Sequence, residues 1–95
     1  MDIAQQAELI DNIRSIVESH LGQRVKLRAN MGRSKVIESE GIITQAHPSL
    51  FIIDIRSKRG KSSIHSYQYV DILTGMVELT DVESGEKLFE PPFES

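Results

Sequence analysis

The side chains best suited to acid–base catalysis or metal binding are three histidines, His20, His47 and His65. Their spacing brings no two of them onto one face of a helix or strand, and the chain has no His-Glu-x-x-His pattern. Cys is absent as well, which excludes thiolate metal sites, disulfides and a cysteine nucleophile. No glycine-rich phosphate loop of the Walker or dinucleotide type is present. The sequence therefore predicts a protein that is not an enzyme, with no catalytic residue, no metal site and no cofactor.

Positive charge is concentrated in two blocks of the sequence, although the formal net charge is −3. The first block runs from residue 24 to 35 and the second from 56 to 61, and neither contains an acidic residue. A local basic stripe attracts phosphate groups or an acidic protein surface even when the whole chain is acidic. The predicted binding residues are Arg24, Lys26, Arg28, Arg33, Lys35, Lys58, Arg59 and Lys61.

This predicted basic face has three candidate partners that the sequence leaves open. One is an acidic protein such as a transcriptional regulator, and another is RNA or DNA. For a nucleic acid, Tyr67 and Tyr69 are the candidate stacking side chains. The third candidate is internal, since Glu38, Glu40 and Glu78 could neutralise the cations within the molecule. Segregated charge also lets a chain attract its own copies, so a homo-oligomer is considered too.

Apolar residues recur at steps of three and four between residues 3 and 21, which predicts an amphipathic helix. Asp2 can cap its first turn by accepting from free backbone amides. Gly22 suits the left-handed position that ends many helices. A helix of this length is marginal alone, so its apolar face must pack against another element.

After Gly22 the hydrophobic period changes from 3.6 to 2, and five strands are predicted. In the first strand, Val25, Leu27 and Ala29 alternate with three basic residues. Gly41 lies inside the long second strand, where a glycine often marks a bend or bulge. A single 3₁₀ turn is predicted over residues 70–75. The predicted strands are 24–29, 35–46, 50–55, 64–69 and 76–80.

One helix followed by five short strands predicts a mainly β fold, a small SH3-like or Sm-like barrel with an N-terminal helix. Closure of the barrel would remove the exposed edges that a small open sheet presents. The chain of 95 residues has room for one core. We expect residues 1–82 to form this domain and residues 83–95 to form an acidic tail. That tail is disordered, folds back on the basic strand, or docks Leu88, Phe89 and Phe93 onto another copy.

No membrane segment or signal peptide is predicted. The longest unbroken apolar run, Leu50 to Ile53, is far shorter than the ~20 residues of a membrane-spanning helix. The first six residues lack both a basic region and an apolar region of the kind that opens a signal peptide.

Three stretches together resemble the Veg family, small proteins of Gram-positive bacteria also called biofilm formation stimulators. The similarity covers roughly residues 9–80. One stretch combines Gly41-Ile42-Ile43 with residues 48–53, and the other two are more specific motifs. These are Ala29-Asn30-Met31-Gly32-Arg33-Ser34-Lys35 and Tyr67-Gln68-Tyr69-Val70-Asp71-Ile72-Leu73-Thr74. This chain departs from the family pattern at Met31, more often glycine, and at Ser34, more often basic.

The resemblance implies a cytoplasmic, non-enzymatic regulator that raises the expression of biofilm-matrix genes. It supplies no catalytic site and no partner that can be carried over residue by residue. Contact with a regulator protein through the basic face is the mechanism that we expect, and an RNA- or DNA-binding module is the alternative.

Overall fold

The fold is described by a computed structural model that covers residues 2–32, 34–57 and 59–90. The predicted order of one helix followed by five strands is confirmed, and each predicted strand boundary lies within two residues of the observed one. A short α-helix takes the place of the predicted 3₁₀ turn. The elements in chain order are α1 (Ile3–Ser19), β1 (Arg24–Asn30), β2 (Val36–Ala46), β3 (Leu50–Arg56), β4 (Ser62–Gln68), α2 (Tyr69–Leu73) and β5 (Val77–Asp81).

Helix α1 is capped as predicted, and it packs against the core from Leu9 onward. The backbone N–H of Gln5 donates to the Asp2 carboxylate at 2.8 Å. Gly22 follows the helix with φ +80°, a conformation that glycine adopts without steric cost. Ile13 and Val17 are buried in the core, whereas Ile3 in the first turn is 85% exposed. The helix is therefore anchored by its last three turns.

The five strands form one antiparallel sheet in the order β4-β3-β2-β1-β5. Burial alternates along β1 as the sequence predicts, with Val25, Leu27 and Ala29 on the inner face and the basic residues on the outer face. The inner face packs against α1 and α2 around Phe51, whose ring stacks on Tyr69 with centroids 6.1 Å apart. Because successive strands are antiparallel, the turns at residues 31–35 and 57–61 lie at the same end of the sheet.

The predicted closed barrel does not form, because β4 and β5 are at opposite edges of the sheet and are not paired with each other. The outer edge of β5 is occupied by the chain's own following segment. Thr80 pairs with Lys87, and the backbone N–H of Leu88 donates to the Leu79 carbonyl at 2.9 Å. A closing β4–β5 ladder would need those same β5 backbone groups. The sheet therefore stays open, with β4 as its second edge.

Gly41 has a different role from the bend that the sequence suggests. A Cβ atom at this position would lie 2.5 Å from the backbone oxygen of Asp54, so the glycine permits close approach of β2 and β3. The register shift between these strands occurs further along, between Ile43 and Gln45.

Part of the predicted acidic tail is folded onto the sheet. Leu88 and Phe89 pack against the hydrophobic core. Asp81 and Gly85 close the intervening turn, in which the Gly85 N–H donates to the Asp81 carbonyl at 2.8 Å. Phe93 lies outside the described residues, so the prediction that it docks on another copy stays a prediction.

Candidate interaction surface

The outer face of the sheet carries the predicted strand cations. Arg24, Lys26 and Arg28 project from it because they alternate with the buried residues of β1. Opposite them in the β1–β2 register, Lys26 faces Glu40 and Arg28 faces Glu38. On the other side, Arg28 faces Glu78 of β5.

Two of the three strand cations are paired with carboxylates of the same chain. The Arg24 guanidinium lies 3.7 Å from the Glu40 carboxylate. Arg28 lies 3.7 Å from Glu38 and 3.6 Å from Glu78. These pairs are largely exposed and contribute little to stability, but they neutralise the charge that a partner would meet. The β1 face is therefore a mixed-charge surface and not a basic one.

Glu78 links this network to the C-terminal segment. Its carboxylate accepts a hydrogen bond from the Lys87 ammonium at 3.3 Å while it also faces Arg28. An open depression lies over the network, lined by Lys26, Arg28, Glu38, Glu40, Glu78 and Thr80. Positive and negative groups alternate around it, so it has no strong preference for an anion.

The cations of the two turns are arranged differently. Lys35, Arg59 and Lys61 are exposed, and none of them forms an ion pair with another described residue. Arg33 and Lys58, also predicted as binding residues, lie outside the described residues. The topology brings both turns to one end of the sheet, but the two turns are offset along the strands.

The offset arises because β2 is longer than β3. Pairing between these strands begins at Gly41 and Ile55, so residues 36–40 have no described partner on the β3 side. Five strand residues span about 15 Å. The β1–β2 hairpin therefore extends past the β3–β4 hairpin.

Exposed apolar side chains lie on both faces of this projecting hairpin and beside it. Four large apolar residues there are between 39% and 59% exposed, whereas most such residues in the chain are buried. Met76 joins them because its carbonyl accepts a hydrogen bond from the Asn30 N–H at 2.8 Å. We call this set, with its neighbouring cation, the tip surface: Met31, Lys35, Val36, Ile37 and Met76.

The tip surface was not predicted from the sequence. Val36 and Ile37 belong to a strand whose alternation predicts that one of them is buried, yet both are exposed. The available signal was the length of the second predicted strand, which exceeds that of the third. An unequal pair of neighbouring strands leaves an overhang. A pocket at its base is lined by Arg28, Asn30, Val36, Gly75, Met76 and Glu78.

The two tyrosines predicted to stack on bases differ in their accessibility. Tyr67 is half-buried on β4. Tyr69 is fully buried, so its assignment as a stacking side chain is wrong. The strand ends at Gln68, and Tyr69 begins α2, which turns its ring toward Phe51.

The environment of Tyr69 also changes its acidity. Burial raises the pKa of the hydroxyl above its usual value of 10.0, and the Glu18 carboxylate acts in the same direction while the Arg14 guanidinium opposes both. The His47 backbone lowers the pKa through a weak polar contact, but no described group meets the geometry of a full hydrogen bond to the hydroxyl oxygen. The ring therefore acts as part of the core and not as a contact surface.

Within residues 2–32, 34–57 and 59–90, no three His, Asp or Glu side chains come together as a metal site would require. None of the helices in the described part of the chain has the length and hydropathy of a bilayer-crossing segment.

A comparison with protein families shows that most of the chain matches one known family. The family model described as biofilm formation stimulator VEG matches residues 8–80, which include all five strands except the last residue of β5. A comparison with individually curated proteins gave no match.

Proposed function

Since the chain belongs to the biofilm formation stimulator VEG family, we propose that it stimulates biofilm formation as a non-enzymatic, cytoplasmic binding protein. Its action is to raise the expression of matrix genes by contact with a regulator protein. The family description supports the biological role.

The tip surface is the contact site in this proposal. The observation that carries it is the exposure of Val36 and Met76, which line one pocket at the base of the projecting hairpin. Met31 and Ile37 are exposed on the same hairpin. Contiguous exposed apolar side chains are typical of protein interaction sites. Methionine side chains are flexible and polarizable, so they adapt to the shape of a partner.

The partner in this proposal is an acidic protein with an apolar anchor. Lys35 flanks the apolar cluster and forms no ion pair with a described residue, so its charge is available to a carboxylate. Arg59 and Lys61 on the other turn add positive charge at the same end of the sheet. Charge complementarity of this kind mainly accelerates encounter, whereas the desolvated apolar contacts supply most of the affinity.

The experiment replaces two apolar side chains of the tip surface without disturbing the fold. Val36→Thr keeps the β-branched shape, and Met76→Ser removes a half-exposed side chain. Both positions avoid Met31, where this chain departs from the family pattern. In a bacterial strain that lacks its own copy of the gene, we expect the double variant to lose most of the stimulation of a matrix-gene reporter. Its binding to the regulator should weaken at least about tenfold.

The matched control is Ile3→Ser, which removes an 85% exposed apolar side chain from the first turn of α1. It should retain full stimulation. All variants should unfold at the wild-type temperature. Full stimulation by the double variant would show that the tip surface is not the contact site. Co-purification that is lost on nuclease treatment would instead favour RNA or DNA as the partner.

A further inference from the structure

The two edge strands of the sheet differ in whether another segment of the chain covers their outer side. The outer edge of β5 is covered by residues 87 and 88 through a backbone hydrogen bond and an isolated bridge. In the described part of the chain, β4 pairs with β3 alone, so its other edge presents free N–H and C=O groups. Such an edge is a template for pairing with another strand.

Strand β4 also lacks the features that usually prevent edge-to-edge association. Its sequence, Ser62-Ser63-Ile64-His65-Ser66-Tyr67-Gln68, contains no Lys, Arg, Asp, Glu or Pro. Its register with β3 runs through seven residue pairs without a bulge. Charges, prolines and bulges are the common devices that protect an edge. Ile64, in the middle of the strand, is 65% exposed on the outer face.

We propose that β4 is a self-association site, at which two copies of this chain pair their β4 strands antiparallel about a two-fold axis. An axis at His65, the middle residue of β4, lets the full length of both strands pair. It places Ile64 of each copy opposite Ser66 of the other and diagonal to the other Ile64 on the same face, within reach of a long side chain. The product is a continuous ten-stranded sheet with both outer edges covered by residues 87 and 88.

The charges at the two ends of β4 favour a second copy as the occupant. Lys61 immediately precedes the strand, and Arg59 lies two residues earlier. Asp71 lies just beyond the other end, in the first turn of α2. Antiparallel pairing places the basic end of each copy beside the acidic end of the other. Lys61 and Asp71 form no ion pair with described residues of their own chain, so both are available for this contact.

The size of the interface sets the expected strength. Pairing of one edge strand buries less surface than the roughly 1,200 Å² typical of stable complexes. We therefore expect a reversible dimer with a dissociation constant in the range of about 10 μM to 1 mM. Sedimentation equilibrium over this concentration range, with the full chain, measures it directly.

The first test introduces a charge at the axis. Ile64→Lys places two like charges in diagonal positions across the dimer interface, while the solvated lysine leaves the monomer unaffected. The dissociation constant should rise at least about tenfold. Ile3→Lys, which adds the same charge at a more exposed apolar position, should leave it unchanged.

The second test exchanges the charges at the strand ends. Lys61→Glu and Asp71→Lys each bring like charges together, so each variant alone should associate less than the wild type. An equimolar mixture restores opposite charges at both contacts of a mixed dimer. The dissociation constant of the mixed dimer should return to within about threefold of the wild-type value. This recovery requires the antiparallel arrangement, in which residue 61 of each copy lies beside residue 71 of the other. Thermal unfolding first confirms that both variants are folded. Asp71 belongs to α2 and Ile64 does not, so the Ile64→Lys test stands even if Asp71→Lys disturbs that helix.

A chain that remains monomeric at about 1 mM would overturn the proposal, and so would a dimer that Ile64→Lys leaves intact. Failure of this proposal is distinguishable from failure of the proposed function. The pairing uses no residue of the tip surface, so the Val36→Thr/Met76→Ser variant should dimerise like the wild type.

Discussion

Tyr69 is enclosed by the core at the point where the chain turns from β4 into α2. Its ring is fully buried beside Phe51, and its hydroxyl has only a weak contact with the His47 backbone and no hydrogen bond of good geometry among the described residues. A buried hydroxyl without a partner costs free energy, because it loses its hydrogen bonds to water. The same burial raises its pKa, since the charged form is disfavoured more than the neutral form.

We predict that Tyr69→Phe leaves the free energy of unfolding equal to that of the wild type or raises it by about 1 kcal/mol at neutral pH. The folded-state pKa of Tyr69 lies above the unfolded-state value of 10.0. The stability of the wild type therefore does not depend on this group below pH 10.0, and it falls as the pH rises from there through the folded-state pKa. Urea denaturation at pH 8 and above pH 10 should show that Tyr69→Phe flattens this loss.

Tyr67→Phe is the matched control, because the Tyr67 side chain is half-exposed on β4. It should keep the alkaline loss of stability. A clear loss of stability in Tyr69→Phe at neutral pH would contradict the argument and indicate that the hydroxyl is hydrogen-bonded.

The sequence could not assign Tyr69 because a strand pattern and a strand-to-helix transition look alike over three residues. Tyr67 and Tyr69 share a face if the strand continues, and that was the prediction. The strand ends at Gln68, where no glycine or proline marks the boundary.

The partners of Arg24 and Arg28, by contrast, were among the alternatives that the sequence offered. Alternating charges on neighbouring strands pair whenever the register brings them opposite each other.

At the scale of elements, strands such as β1 and β5 were predictable because each has one buried face. In β1 the alternation of Val25, Leu27 and Ala29 fixes both the strand and its orientation, and the observed burial follows it. Closure of the barrel was not predictable, since it depends on which segment reaches the outer edge of β5. That segment lies in the acidic tail, whose composition gave no sign of the backbone bond between Leu88 and Leu79.

We predict that residues 83–90 contribute substantially to stability. Leu88 and Phe89 pack against the core, and Leu88 hydrogen-bonds to β5. Ending the chain after Val82 should lower the free energy of unfolding by about 2–4 kcal/mol, because two half-buried apolar side chains and an edge contact are lost. Urea denaturation measures the loss.

A chain that ends after Glu90 is the matched control, since it retains the described contacts and lacks only residues 91–95. It should unfold like the full chain. If the two truncated chains were equally stable, the packing of Leu88 and Phe89 would have no energetic weight.

At the scale of the molecule, the distribution of charge matters more than the net value of −3. The carboxylates of Glu38, Glu40 and Glu78 offset the β1 cations on the outer face. Affinity for nucleic acid depends on the release of counterions by unpaired cations. The face therefore has little attraction for a phosphate backbone while these acids are in place.

We predict that the wild type is not retained on single-stranded polyuridylate, whereas Glu38→Gln/Glu78→Gln is retained at low salt. The double variant frees Arg28 from both of its carboxylate partners. Its binding should weaken steeply as salt is raised. Fluorescence anisotropy with a labelled oligonucleotide measures both the affinity and its salt dependence.

The control is Glu83→Gln/Glu86→Gln, which changes the net charge by the same amount at exposed positions of the turn after β5. It should bind no better than the wild type. Equal binding by both double variants would mean that net charge, and not the pairing on the outer face, governs the interaction.

The place of β5 beside β1 has a consequence for the order in which the molecule can be assembled during synthesis. Val25 pairs with Asp81, and the segment that then seals the outer edge extends to residue 88. A nascent chain leaving the ribosome can complete the β1–β4 meander early, but its first strand waits with one side unpaired for the last strand to be translated. Proteins truncated by premature termination therefore carry that unpaired strand permanently, which makes them natural substrates for chaperones and proteases.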